Sequence, residues 1–251
     1  MLILDDKAGK FFGSGRTSLK HLAKGWDAYV PFSIIKSNKD MRELNIYLYP
    51  NLLPGINLTA TEVERQIAQY KLTFSPLRNP VVEWASEFPM FLPSFYRYVI
   101  AHQSVPSQED FWNLYLTDNS MWFQGEHPSD EVMLSLKARA FRAYPSFVRD
   151  LHFCLMLRAS AKYADVIYNT DLDIINGIDV LLSYAGKLYA INLFTETENA
   201  QIGRTKKQFR HTPFDNIVYI ELPVSFKGSK ACGNFYLYSE REMEVLNKKL
   251  N

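Results

Sequence analysis

The stretch from Asn176 to Phe194 has the sequence NGIDVLLSYAGKLYAINLF, which is the clearest structural pattern in this chain. Two apolar runs of strand length are separated by Ala185 and Gly186, and this pattern predicts a β-hairpin with a tight turn. One carboxylate, Asp179, lies beside the first run, where Ile, Val and Leu side chains are expected to enter a core. Because a buried carboxylate needs a hydrogen-bond donor or a cation, the partner of Asp179 becomes the central question.

The composition predicts a globular protein without a strongly cationic surface. Of the 251 residues, 47% are hydrophobic and 14% are aromatic, which is sufficient for a packed core. The 28 Lys and Arg residues nearly balance the 27 Asp and Glu residues, and the formal net charge is +1. Any surface that binds nucleic acid must therefore be local.

The cysteines and the apolar segments favour a cytoplasmic protein. Cys154 and Cys232 lack CxxC spacing, so we expect buried free thiols in a reducing compartment rather than a zinc site or a disulfide framework. The initial MLILDDKAGK contains an apolar run too short for a signal peptide, and no segment approaches the ~18 apolar residues of a membrane span. We expect no membrane contact.

Residues 1–128 form the first of two predicted regions, an irregular α+β region that contains most of the prolines. The segment ELNIYLYP is a strand candidate. The segment TATEVERQIAQYKL is predicted to be helical, with Thr61 and Glu64 at the spacing of a capping box. A second helix is predicted at SQEDFWNLYL, with Ser107 and Asp110 ahead of its apolar face.

Residues 129–251 form the second predicted region, and their pattern is more regular. A helix is expected from Asp130 to about Tyr144, where Pro145 should end it, and another helix is expected behind Ser146 as its N-cap. There follow a strand at DVIYN, the hairpin, a polar helix at TENAQIGRTKKQFRH, strands at NIVYIEL and NFYLYS, and a helix at EREMEVLNKKL. Counted from the helix behind Ser146, the predicted order is α, β, β, β, α, β, β, α.

This order, with an acid at the start of the second strand and a polar helix after the third, resembles the PD-(D/E)XK, or restriction-endonuclease-like, nuclease superfamily. The resemblance covers roughly residues 130–225 and implies an α/β (α+β) fold with an αβββαβ core in the C-terminal half. Members of that superfamily carry a metal-binding aspartate on the second strand, which Asp179 matches. They carry an acid or Gln, any residue and Lys on the third strand, where this chain has Asn192, Leu193 and Phe194.

The resemblance implies Mg²⁺-dependent hydrolysis of phosphodiester bonds, with Asp179, Asp150 and Asn192 as candidate metal ligands and catalytic residues. Mg²⁺ takes hard oxygen ligands, and the amide oxygen of Asn192 can serve although it carries no charge. Asp150 falls on an apolar arc of the second predicted helix of this region. Alternatively, Asp150 is a first-turn acid favoured by the helix dipole, or an ion-pair partner of Arg149 or Arg158.

Other acids near the predicted strands are weaker candidates for a second carboxylate ligand. Glu196 and Glu198 follow the third strand, and they are explained better as acids in the first turn of the polar helix. Asp165, Asp171 and Asp173 flank the first strand and are explained as turn residues.

The polar helix after the third strand supplies the cations that the third strand lacks. Its cationic candidates are Arg204, Lys206, Lys207, Arg210 and His211. Lys206 is the candidate for a displaced catalytic lysine, and all five are candidates for binding a phosphate backbone. The alternative is a solvated helix face without a binding role.

Two functions remain open on the sequence. The first is a metal-dependent nuclease whose N-terminal region selects the substrate, with DNA favoured over RNA. The second is a catalytically inactive nuclease-fold module that binds nucleic acid or assembles with a protein partner, including a second copy of itself. The resemblance also implies service in mobile elements or anti-phage defence. The sequence motifs of P-loop NTPases, HExxH zinc hydrolases and GxSxG hydrolases are absent.

Overall fold

The computed structural model describes residues 43–84, 88–197 and 213–250. These residues form an α+β fold that contains α-helices and a four-stranded mixed sheet. The chain divides into two compact units, the first built from the described residues of 70–148 and the second from those of 36–69 and 149–251. The sequence predicted one boundary, between residues 128 and 129. In the structure, residues 129–148 belong to the first unit, and the described residues before 70 belong to the second.

Helices make up the first unit, and the sheet belongs to the second. In chain order the α-helices are α1 (Ala60–Ile67), α2 (Pro80–Trp84), α3 (Leu92–His102), α4 (Gln108–Asp118), α5 (Ser120–Glu126), α6 (Asp130–Ala159), α7 (Thr170–Asn176) and α8 (Glu240–Leu250). The strands are β1 (Asp165–Ile167), β2 (Val180–Tyr184), β3 (Lys187–Thr195), β4 (Ile217–Val224), β5 (Lys230–Cys232) and β6 (Phe235–Leu237). Within the described ranges, no helix combines the length and apolar character needed to cross a bilayer.

Helix α1 is confirmed, but its capping box lies two residues before the predicted one. Thr59 is the N-cap, and its Oγ1 accepts a hydrogen bond from the Glu62 backbone N–H at 3.2 Å. The Glu62 side chain returns the bond, because its Oε2 accepts from the Thr59 backbone N–H at 2.8 Å. The predicted pair Thr61 and Glu64 has the same spacing but lies inside the helix, where no N-terminal N–H groups remain to be capped.

Removing this cap is expected to cost about 1 kcal/mol of unfolding free energy. Thr59→Ala removes the side-chain oxygen that accepts the Glu62 N–H, and urea denaturation measures the loss. Thr61→Ala is the matched control, since Thr61 is exposed within the helix and alanine has the higher helix propensity. Equal losses in the two variants would contradict the assignment of Thr59 as the cap.

The strand predicted at residues 43–50 is wrong, because this segment contains a 3₁₀ helix at Ile46–Leu48. The Asn45 side chain caps that helix by accepting the Tyr47 N–H at 3.1 Å. The backbone of Leu44 bonds to a side chain rather than to a strand, since its N–H donates to Asn216 Oδ1 and its carbonyl accepts from Asn216 Nδ2, both at 3.0 Å. The apolar alternation of the segment was therefore misleading.

Helix α4 is confirmed with Ser107 as its N-cap, whereas the predicted helix break at Pro145 is wrong. Helix α6 continues through Pro145 from Asp130 to Ala159. Proline cannot donate the backbone bond that would normally reach the carbonyl four residues earlier, here Phe141. That carbonyl is satisfied by Gln108 of α4, whose Nε2 donates to it at 3.1 Å. A side chain thus occupies the place of the missing donor.

The four-stranded sheet has the order β1-β2-β3-β4 and contains the predicted hairpin. Strands β1 and β2 pair antiparallel, as do β2 and β3, whereas β3 and β4 pair parallel. The β2–β3 turn is formed by Ala185 and Gly186, with φ values of 49° and 74°. Two consecutive positive φ values are those of a type I′ turn, whose twist matches paired strands. Strand β6, which lies in the predicted strand NFYLYS, is not part of this sheet. It pairs with β5, a short strand that the sequence did not indicate.

Helix α7, between β1 and β2, was also not predicted. Asn169 caps it by accepting the backbone N–H groups of Asp171 and Leu172, and Gly177 ends it in the left-handed conformation at φ 69°. The prediction that Asp171 and Asp173 are turn residues is therefore wrong, because both lie within this helix. An Asn cap and a glycine eight residues beyond it were the available signals.

One face of the sheet packs against α7 and the segment before α1. This cluster contains Ile167, Leu181, Ala190 and Ile217 from the four strands, together with Leu44, Tyr49, Leu172, Ile178 and Phe214.

Strand β1 and helix α8 agree with the prediction. The polar helix predicted at residues 197–211 lies, apart from its first residue, outside the described residues.

Candidate functional site

Asp179 lies directly before β2 and is bound by the neighbouring strand of the hairpin. Its side chain is buried, and its Oδ2 accepts a hydrogen bond from the Leu193 backbone N–H at 2.7 Å. The register pairs Val180 with Ile191, so Asp179 is adjacent to Asn192 across the hairpin. The structure therefore brings together the two residues that the resemblance assigned to the second and third strands. At least one oxygen of the carboxylate has a backbone partner.

Among the described residues, Asn192 has a buried polar atom without a partner at this position. Its Oδ1 is buried and has no hydrogen-bond partner within the described residues. A buried carbonyl oxygen without a donor costs about 1–3 kcal/mol, so such atoms are uncommon and often mark a position where a partner binds. The partner that suits an oxygen beside a carboxylate is a hydrogen-bond donor or a cation.

Glu221 extends this row onto a third strand. It is the parallel partner of Asn192 in the β3–β4 pairing. Side chains alternate between the faces of a strand. Asn192 therefore lies on the same sheet face as Ala190, two residues before it, and Glu221 lies on the same face as Tyr219, which packs against the same cluster. Asp179, Asn192 and Glu221 thus form a row on three adjacent strands, which we call the acid–amide row.

Sequence reasoning missed Glu221. The strand NIVYIEL was predicted correctly, and its only carboxylate is Glu221. An acid in the middle of an otherwise apolar strand was the available signal. The parallel register that brings it next to Asn192 could not be derived, because residues 196–216 lie between the two strands in the chain.

Asp150 lies in the middle of α6, so its explanation as a first-turn acid is wrong. Its ion pair with Arg149 is confirmed, with Arg149 Nε 3.4 Å from Asp150 Oδ1. Arg158 bonds to backbone carbonyls in the segment before α1. Its guanidinium donates to the carbonyl oxygens of Leu53, Ile56 and Leu58.

Asp150 and Asp179 act electrostatically on the same two buried groups. Burial raises the pKa of the Cys154 thiol well above its usual value, and the charges of Asp150, Asp179 and Asp173 raise it further. Burial also raises the pKa of the Tyr238 hydroxyl, with Arg149 opposing the shift and the same Asp150 and Asp179 adding to it. Several carboxylates therefore contribute negative potential to this part of the second unit.

The donor atoms of the acid–amide row suit Mg²⁺ only in part. Within the described residues, no group of three His, Cys, Asp or Glu side chains is arranged to hold a metal ion. Mg²⁺ does not require such a group, because it keeps several waters and binds through one or two carboxylates together with substrate phosphates. Asp179, Asn192 and Glu221 supply two carboxylates and one amide oxygen, which are hard ligands of the correct chemical type.

Phe194 stands where the resemblance would place a lysine on the third strand. The Phe194 backbone carbonyl lies 3.5 Å from the Tyr238 hydroxyl. Most of the substitutes proposed from the sequence lie outside the described residues, namely Glu198, Arg204, Lys206, Lys207, Arg210 and His211. Glu196 is described and is exposed directly after β3, where its backbone N–H donates to the Val224 carbonyl at 3.0 Å. Asp165 is exposed on β1.

A second polar cluster joins three segments of the second unit. His152 Nε2 on α6 lies 2.8 Å from Glu64 Oε1 on α1, and Lys230 Nζ on β5 donates to Glu64 Oε2 at 2.6 Å. Burial lowers the pKa of His152, while Glu64 opposes that shift. Cys232 donates its thiol to the Glu64 carbonyl at 3.2 Å. These contacts fasten β5 and α6 to α1.

Both cysteines are free thiols, as predicted. Cys154 is buried, whereas Cys232 is partly exposed, so the expectation of burial is wrong for the second.

Comparisons of this chain with family models, with curated proteins and with solved structures returned no match.

Proposed function

We propose that this protein is a divalent-metal-dependent nuclease of restriction-endonuclease-like architecture that acts on nucleic-acid phosphodiester bonds. The observation that carries the proposal is the buried Asn192 Oδ1 next to Asp179 in the acid–amide row, which has no hydrogen-bond partner among the described residues. The succession of α6, β1, β2, β3 and β4 supports the αβββαβ core, with α7 as an insertion after the first strand. The substrate is DNA in preference to RNA.

The residues of the acid–amide row divide the chemistry between them. Asp179 anchors the cation, and the Leu193 N–H fixes the orientation of its carboxylate. Asn192 adds a neutral oxygen ligand, and Glu221 adds the second negative charge. Bound there, Mg²⁺ would polarise a phosphate oxygen and lower the pKa of a coordinated water. Asp150 contributes negative potential, and Lys206 is the proposed cation that orients the reacting groups.

The test is cleavage of labelled single- and double-stranded DNA and RNA in the presence of Mg²⁺ or Mn²⁺. Asp179→Asn keeps the shape of the side chain and an acceptor for Leu193 N–H but removes the charge. We expect cleavage to fall by about a hundredfold, which corresponds to a barrier increase of about 2.7 kcal/mol. The control is Asp165→Asn, an exposed acid on another strand of the same sheet, which should leave cleavage unchanged.

Substitutions of Asn192 test, in the same assay, whether this residue is a metal ligand. Asn192→Asp adds the charge that the superfamily carries at this position, so half-maximal cleavage should need less Mg²⁺. Asn192→Ala removes the ligand and should need more. An unchanged Mg²⁺ requirement in both variants would exclude Asn192 as a ligand, and undiminished cleavage in Asp179→Asn would refute the proposal for Asp179.

The second candidate function is a catalytically inactive nuclease-fold module. Phe194 at the lysine position favours it, as does the hydrogen bond that already satisfies one oxygen of Asp179. Salt-sensitive binding of nucleic acid without metal-dependent cleavage would support this function over the first. The absence of both would direct the search to protein partners, including a second copy of the chain. In either case we propose a reducing cytoplasmic setting, in keeping with the two free thiols, and service in mobile elements or anti-phage defence.

A further inference from the structure

The hairpin β5–β6 and the turn before it present two aromatic rings to solvent. Phe226 is 49% exposed and Tyr236 is 47% exposed. Their ring centroids are 5.1 Å apart, with an angle of 66° between the planes. Single exposed apolar side chains are ordinary on protein surfaces, but contacting aromatic rings form a continuous apolar surface. Such a surface is suited to binding a flat, apolar face of a ligand.

The strand that carries Tyr236 is held firmly. Tyr236 lies between Phe235 and Leu237, which are buried, so the alternation of β6 fixes its ring on the outer face. The hairpin turn contains Gly233 at φ 55°, where an added Cβ would lie 3.0 Å from the Ala68 carbonyl oxygen. This close approach anchors the turn to the end of α1, as Lys230 and Cys232 anchor β5 to Glu64. A rigid support reduces the conformational entropy lost on binding.

Cations accompany the two rings. The segment Ser225 to Ala231, SFKGSKA, contains two lysines and no acid. The Arg241 guanidinium lies against Gly228, where an added Cβ would overlap it. Lys230 is paired with Glu64, whereas within the described residues neither Lys227 nor Arg241 makes an ion pair. Two exposed cations, which have no acidic partner in the part of the chain that the structure describes, therefore flank the aromatic pair.

We propose that Phe226, Lys227, Tyr236 and Arg241, the aromatic–basic patch, bind an unpaired segment of a nucleic acid. Unstacked bases expose aromatic faces that stack on protein rings, at about 1–3 kcal/mol per base, and the adjacent phosphates attract lysine and arginine. The combination of stacking rings and exposed cations favours this ligand over an apolar protein surface. The inference deepens the proposed function by naming where an unpaired strand binds, and it does not depend on the metal site.

The test measures the affinity of the full chain for labelled single-stranded and duplex oligonucleotides by fluorescence anisotropy, with DNA and RNA in separate arms and without divalent metal. Phe226→Ala combined with Tyr236→Ala should weaken single-strand binding by about tenfold, and duplex binding by much less. Tyr47→Ala is the matched control, because Tyr47 is a 91% exposed aromatic residue outside the patch. Tyr236→Trp alone should retain the affinity, which guards against a folding defect in the double variant.

The role of the two cations is tested separately, through the salt dependence of binding. Lys227→Gln combined with Arg241→Gln should make binding less sensitive to salt, reducing the slope of log affinity against log salt concentration by about 1.4 for two phosphate contacts on a single strand. The inference is overturned if the aromatic variant binds single strands as the wild type does, if it loses single-strand and duplex binding equally, or if the wild type binds no single strand. Weakened binding in the DNA arm, the RNA arm or both supports it.

These results are distinguishable from failure of the proposed nuclease function. Single-strand binding that depends on the patch, without metal-dependent cleavage, would refute the nuclease activity and leave this inference standing. Cleavage that depends on Asp179, with binding indifferent to the patch variants, would refute this inference and leave the nuclease standing.

Discussion

Replacing Asp171 by asparagine should stabilise the protein increasingly as the pH rises from about 4 to about 8. Asp171 is buried on α7 with only 2% of its surface exposed. Its Oδ1 has no hydrogen-bond partner within the described residues. Burial raises the pKa of this carboxyl from 3.8 to about 8. The folded protein therefore carries Asp171 in its protonated, neutral form at neutral pH.

The direction of the effect follows from proton release in the unfolded state. Above about pH 4 the unfolded chain ionises Asp171 while the folded chain does not, so unfolding releases a proton. The unfolding free energy consequently falls as the pH rises, and it levels off above about pH 8, where the folded state ionises as well. The difference between the pKa of Asp171 in the folded protein, about 8, and its usual value of 3.8 corresponds to at most about 6 kcal/mol. Asparagine removes this loss, because it stays neutral at every pH and has nearly the same shape.

Urea denaturation at about pH 5 and about pH 8 measures the effect. The advantage of Asp171→Asn over the wild type should be several-fold larger at the higher pH. Asp173→Asn is the control, since it makes the same Asp-to-Asn change on the same helix at a partly exposed position. Parallel stability curves for the wild type and Asp171→Asn across this range would contradict the raised pKa.

Local signals in the sequence were sufficient to predict the helices and strands whose conformation depends on residues nearby in the chain. The β2–β3 hairpin is the clearest case, because Ala185 and Gly186 and the flanking apolar runs all lie within one stretch of chain. Helix α4 was similarly determined by its Ser107 cap. For the candidate site, the neighbourhood of Asp179 and Asn192 followed from the hairpin alone.

Partners that are distant in the chain explain what the sequence could not predict. Glu221 joins the acid–amide row only through the parallel pairing of β3 and β4. The segment at residues 43–50 has an apolar pattern like that of a strand, but its Leu44 backbone is bonded by Asn216, which is 172 residues away. In each case a long-range contact, rather than local propensity, determines the conformation.

The contact between Gln108 and helix α6 is the strongest example, and its removal should have a measurable effect. Gln108 is buried, and its side chain makes three hydrogen bonds to backbone groups. Its Oε1 accepts from the Thr73 N–H at 2.7 Å, and its Nε2 donates to the carbonyls of Thr73 and Phe141 at 3.2 and 3.1 Å. Gln108→Leu should lower the unfolding free energy by about 3 kcal/mol, because it leaves a buried carbonyl unpaired and removes two further bonds.

The control for this loss is Gln124→Leu, an exposed glutamine on α5 in the same unit, which should change stability by less than about 0.5 kcal/mol. The role of Gln108 in tolerating Pro145 is tested by a double-mutant cycle measured with urea. Pro145→Ala restores a backbone N–H that can donate to the Phe141 carbonyl, so Gln108→Leu should cost about 1 kcal/mol less in that background. The cycle isolates this coupling whatever the effect of Pro145→Ala alone. If the two costs are equal, Gln108 stabilises the unit only through Thr73, and the continuity of α6 through Pro145 must have another cause.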